Sequence, residues 1–128
     1  MKFIGKDKIL FENLKKSEFR ILDAEVKRVN IFTQDFGLYI EIDFAHEQYK
    51  EYHLRLRFSS IKEYSFYHND THYFYTVECY KLIMDGEYFY LSLDPEDEFS
   101  IIPSDNDQDI VVCKNFEGYL IELNQANP

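Results

Sequence analysis

Two seven-residue stretches alternate apolar and polar side chains without interruption, and they restrict the chain to an antiparallel sheet. In the first, Leu38, Ile40, Ile42 and Phe44 alternate with Tyr39, Glu41 and Asp43. In the second, Tyr52, Leu54, Leu56 and Phe58 alternate with His53, Arg55 and Arg57. Successive side chains of a strand point to opposite faces, so each stretch buries one face and offers charge on the other. Paired antiparallel, they set Glu41 and Asp43 beside Arg55 and Arg57. Such cross-strand pairs contribute about 0.2–1 kcal/mol each. On this reading the four charges are surface groups facing water.

The same period recurs along the chain. Ala24 to Thr33 reads as a strand whose Val29, Ile31 and Thr33 share a face, while Ala24 and Val26 fall out of phase. A bulge at Lys27-Arg28 restores the register. Gln34-Asp35-Phe36-Gly37 is a turn, with Gly37 free to take a positive φ. Ser60 and Glu63 have the spacing of a capping box, which predicts one helical turn. Thr71 to Met84 is rich in aromatic and β-branched residues and reads as strand. Asp85-Gly86 between two apolar runs signals a hairpin, with Glu87 to Leu93 as the return. Asp94-Pro95 ends that strand. Ile110 to Lys114 and Tyr119 to Leu123 read as two last strands joined at Asn115–Gly118. Residues 1–20 form an N-terminal arm or short helix, 21–123 the β core and 124–128 a tail. The expected fold is mainly β: one domain over 1–128, an antiparallel β-sandwich or partly open barrel of about seven strands with one or two short helical segments.

Charge narrows the partner. The chain carries 14 Lys and Arg against 24 Asp and Glu, a net −10. A field of that sign repels phosphate backbones and anionic headgroups, so nucleic acid and membrane are excluded as expected partners and a basic protein surface is favoured. No apolar stretch approaches the ~20 residues of a membrane span, and the charged N-terminus lacks a signal-peptide core. A cytoplasmic protein with free Cys79 and Cys113 is expected.

Chemistry-bearing motifs are sparse. His68, His72 and Cys79 come nearest to a metal cluster, but a strand spreads residues four apart by ~13 Å, so structural roles are expected. Asp105 to Asp109 opens like a calcium loop and then fails: Ile110 stands where the turn needs Gly and Phe116 where the bidentate Glu belongs. Asp94, Glu96, Asp97 and Glu98 extend this acidic stretch, which only Phe99, Ile101 and Ile102 interrupt. No phosphate loop, nucleophile elbow or metalloprotease motif is present, and neither cofactor nor catalytic residue is expected. Tyrosines stand out instead. Tyr73, Tyr75, Tyr88 and Tyr90 belong to an aromatic band too dense to be buried on one face, and tyrosine is enriched at interfaces. The expected contact set is therefore Asp94, Glu96, Asp97, Glu98, Asp105, Asp107, Asp109, Tyr73, Tyr75, Tyr88 and Tyr90.

Leu22-Asp23-Ala24-Glu25-Val26, Leu54-Arg55-Leu56-Arg57-Phe58 with Ser59-Ser60-Ile61, Leu91-Ser92-Leu93-Asp94-Pro95 and the closing Asp109 to Leu123 region are similar to a group of small β-rich bacterial proteins. These are the immunity proteins of polymorphic toxin systems. Many members carry His before the Asp-Ala step, where this chain has Leu22, so no His-centred role is carried over. The resemblance implies a non-catalytic protein-binding domain that neutralises a basic toxin domain. Two alternatives stand beside it: a small-molecule-binding β protein or minor enzyme with a pocket between sheets, and a structural domain that pairs with its own copy as a homodimer.

Overall fold

A computed structural model describes residues 1–16 and 18–123. The elements in chain order are β1 (Lys2–Lys6), α1 (Asp7–Lys15), β2 (Glu25–Gln34), β3 (Gly37–Ala45), a 3-10 turn (Glu47–Tyr49), β4 (Tyr52–Ser65), β5 (Lys81–Asp85), β6 (Tyr88–Asp94) and β7 (Gln108–Glu122). The mainly-β expectation holds, with seven strands, one helix and one short turn among the described residues. All strands belong to one antiparallel sheet in the order β2-β3-β4-β7-β6-β5, and the sheet does not close. Strand β7 is its spine. One edge pairs with β4 along most of its length; the other pairs first with β6 and then with β1. No helix among the described residues is long and apolar enough to cross a membrane. The tail expected at 124–128 lies outside the described residues.

The alternating segments pair as their pattern requires. Glu41 stands opposite Arg57 and Asp43 opposite Arg55, and the register of β2 shifts between Val26 and Arg28, where the bulge was expected. Ile40, Ile42, Phe44, Leu54, Leu56 and Phe58 turn to one face and are fully buried. Helix α1 covers that face with Leu10 and Leu14. It lies so close to β7 that a Cβ at Gly118 would stand 2.8 Å from Leu10 Cδ1 and 3.0 Å from Ile4 Cγ1. The Asp7 carboxylate fixes the helix start by accepting from the Phe116 amide at 2.9 Å and Asn115 Nδ2 at 3.1 Å.

Five local expectations are corrected. Residues 2–6 are not arm or helix but strand β1, zipped to β7. Ser60 caps no helical turn; it sits at φ 51° within β4, next to a register shift between Ile61 and Glu63. Gly37 is not the positive-φ residue of its turn. Asp35 and Phe36 are, at 51° and 64°. Thr71 to Met84 is strand only from Lys81 onward. Before that, the segment crosses the sheet end irregularly, holding the start of β2 through Val26 N to Tyr75 O (2.6 Å) and Val77 N to Ala24 O (2.9 Å) while Val77 enters the core. Finally, Asn115–Gly118 makes no turn, because β4 pairs across it residue by residue and β7 continues.

Candidate functional site

Strand β5 opens on a lysine. Its alternation places Lys81 and Ile83 on the face opposite the main core, where Tyr90 of β6 and Ile110 and Val112 of β7 form a second apolar cluster with Ile83. Residues 95–107 fold over this face. Lys81 Nζ meets Asp107 Oδ2 at 2.8 Å, and neither side chain has appreciable contact with water. Lys81 also donates to Ile102 O at 2.9 Å. The Asp107 carboxylate accepts three further bonds: from Tyr90 Oη (2.7 Å), the Glu96 amide (2.9 Å) and the Ser104 amide (3.0 Å). Burial by itself would raise the Asp107 pKa; Lys81, the two amides and Tyr90 outweigh it and hold the carboxyl below its ordinary range. Burial, and then Asp107, push the Tyr90 phenol upward. A buried ion pair with its remaining lone pairs satisfied fixes the geometry of whatever it ties together.

What it ties together is the loop. At the loop's outer surface Phe99, Ile101 and Ile102 are 85 %, 80 % and 66 % exposed, and Glu96, Asp97, Glu98 and Asp105 around them are exposed too. Local bonds stiffen the display. Asp97 Oδ1 accepts from the Phe99 amide at 3.0 Å, and Glu96 accepts from Ser104 Oγ and from Asn106 Nδ2. A shallow depression of about 520 Å3 runs between Lys81, Glu96, Asp97, Ile102 and Pro103. Large apolar side chains held in water on a loop whose exposed charges are of one sign have the composition of an interface core and rim.

The expected contact residues divide. Glu96, Asp97, Glu98 and Asp105 are exposed on this loop, while Tyr73 and Tyr75 are exposed in the 66–80 segment with their rings stacked 5.8 Å apart. Asp94 is partly exposed at the end of β6. Tyr88 is half-buried, its ring 4.6 Å from Lys62 Nζ. Asp107, Asp109 and Tyr90 turn inward and serve the fold, so they leave the contact surface. Of the acids expected at the contact surface between Asp105 and Asp109, Asp107 and Asp109 are buried instead. The apolar trio carried the one available signal, apolar residues in an otherwise polar loop. Lys81, at the head of an apolar strand run, was the sign of a buried counter-charge.

The charges on β3 and β4 are also corrected. Glu41 and Asp43 are not surface groups: each is 4 % exposed. Arg57 Nε donates to Glu41 at 2.7 Å, Arg28 Nη2 to Glu41 at 3.0 Å, and Arg55 clasps Asp43 with two bonds of 2.7 and 2.9 Å. Burial would raise the Glu41 pKa, but Arg57 and Arg28 bring it below its usual range. The three guanidinium groups close over the two carboxylates and stay partly exposed themselves, so the acids are buried while the face keeps charge in contact with water.

Of the histidines, His68 lies against Tyr75 Oη at 2.5 Å. His72 lies between two carboxylates, its Nε2 at 2.9 Å from Asp109 Oδ2 and its Nδ1 at 3.5 Å from Asp94 Oδ2. Asp109 occupies the left-handed region at φ 54°, and its other oxygen accepts from the Tyr67 amide at 2.8 Å. A cleft of about 300 Å3 opens beside them, lined by Thr71, His72, Glu78, Cys79 and Asp94. Burial, then Glu98, Asp94 and Glu78, raise the Cys79 pKa, which disfavours the thiolate. Cys113 is buried and its thiol is pushed up to about 12. Both cysteines are free. No family model, no curated protein and no solved structure matches this chain.

Proposed function

We propose that this chain is a non-catalytic protein-binding domain whose 95–107 loop docks a basic partner, in the manner of an immunity protein neutralising a basic toxin domain. One observation carries the reading: Phe99, Ile101 and Ile102 stand in water on the same loop as the exposed acids Glu96, Asp97, Glu98 and Asp105, and that loop is tied to the sheet by Lys81 and Asp107. An unbraced loop would lose affinity to ordering on binding; a braced one keeps it. Apolar anchors at the centre supply affinity and acids at the rim supply encounter rate. The net charge of −10 favours a basic surface over an anionic one.

Affinity capture from the native host at low salt, followed by a salt gradient, tests this. A basic protein should be retained and its association rate should fall as salt rises. Recovery of no partner, or of one whose association ignores ionic strength, contradicts the reading.

A further inference from the structure

We propose that His72 and Asp94 form a zinc site at the mouth of the cleft beneath the 66–80 segment, with Asp109 as the residue that positions the imidazole. The argument begins with Asp109. Its side chain is fully buried; one oxygen accepts from the Tyr67 amide, and the other lies 2.9 Å from His72 Nε2. An ionised carboxylate only accepts, so Nε2 carries the hydrogen. In the neutral ring the lone pair is then on Nδ1. The atom facing Nδ1 is Asp94 Oδ2, another acceptor, 3.5 Å away.

Two acceptors facing one another across this gap, with the Asp109 oxygen also within 4.8 Å, form a cluster of donor atoms that a cation can join. The separation favours a metal ion. A hydrogen bond between a charged ring nitrogen and a carboxylate closes to about 2.7–2.9 Å, and this gap is wider. Zinc binds imidazole nitrogen and carboxylate oxygen at about 2.0–2.2 Å, which in a tetrahedron sets ligand atoms about 3.4 Å apart. The gap is that edge. A carboxylate on the far nitrogen of a ligating imidazole is the usual support of a zinc-bound histidine, and Asp109 is in that place.

The surroundings agree. Glu78 and Cys79 line the same cleft, outside the cluster that His72, Asp94 and Asp109 make. Among the described residues, no Lys or Arg pairs with Asp94, Asp109 or Glu78, so the local charge is negative and unbalanced. An imidazole nitrogen beside a carboxylate suits zinc over calcium or magnesium. The ion would join the irregular 66–80 segment to the end of β6. This inference does not depend on the docking function.

The test is calorimetric titration of the metal-free full chain with Zn2+ alone, on wild type and on Asp94→Asn, His72→Ala and His68→Ala. Asp94 is partly exposed, so Asp94→Asn keeps the fold even if His72→Ala does not. One equivalent should bind wild type and His68→Ala alike, and should raise the wild-type unfolding temperature but not that of Asp94→Asn. Asp94→Asn and His72→Ala should each bind at least about tenfold more weakly. Absence of binding to wild type, or undiminished binding by Asp94→Asn, overturns the site.

Discussion

Lys81 Nζ and Asp107 Oδ2 meet at 2.8 Å on a part of the sheet sealed from water, and the loop that seals them is the one that exposes Phe99, Ile101 and Ile102. Removing one charge of such a pair leaves the other desolvated and alone, at about 3–5 kcal/mol. Lys81→Met and Asp107→Asn should each lose that much in urea unfolding. The double variant should recover part of it, because the two losses share one interaction. Single variants within about 1 kcal/mol of wild type would show that water reaches the pair.

Acid should act through the same carboxylates. Asp107 and Glu41 both have depressed pKa values in the fold, the first through Lys81 and the second through Arg57 and Arg28, each against the opposing effect of burial. A depressed carboxyl stabilises fully above its unfolded value of about 4 and ceases to as pH falls through the folded value. Unfolding free energy should therefore hold steady from about pH 7 to about pH 5 and fall below about pH 4. In Glu41→Gln the acid limb should be shallower. An equal slope in wild type and variant would remove Glu41 from the cause.

The β2–β3 turn makes a prediction of opposite sign. Phe36 is fully exposed at φ 64°, a conformation that two-residue hairpins need and that side chains other than Gly, Asn and Asp resist. Phe36→Gly relieves that strain and loses no packing. It should stabilise by about 0.5–1 kcal/mol, read as a higher urea midpoint. A lower midpoint would mean that the ring packs.

The parts of the fold that were legible in the sequence are those where one face alone is buried. Leu38–Phe44 and Tyr52–Phe58 gave strand, register and cross-strand pairs, because a slip by one residue would turn every apolar side chain outward. The depth of Glu41 and Asp43 was not legible, since it depends on Arg28 reaching across from β2. Gly118 looked like a turn residue and is a packing residue, a distinction set by Leu10 and Ile4 from the other end of the chain. The aromatic run before Lys81 has strand propensity, yet it spans a sheet end and covers the core irregularly through Val77. In the candidate surface, the acids of residues 94–105 were legible as charge. That Asp107 and Asp109 face inward was not, because alternation cannot say which carboxylate will find a buried partner in Lys81 or His72.

Phe99→Ser/Ile101→Ser tests the docking surface most directly. Both side chains stand in water, so the double variant should keep the wild-type circular dichroism spectrum and urea midpoint. Titrated calorimetrically against the basic protein captured from the host, it should bind at least about 100-fold more weakly than wild type, as the loss of two central anchors requires. Affinity equal to that of wild type, with the fold intact, would place the partner elsewhere on the molecule and contradict the proposal.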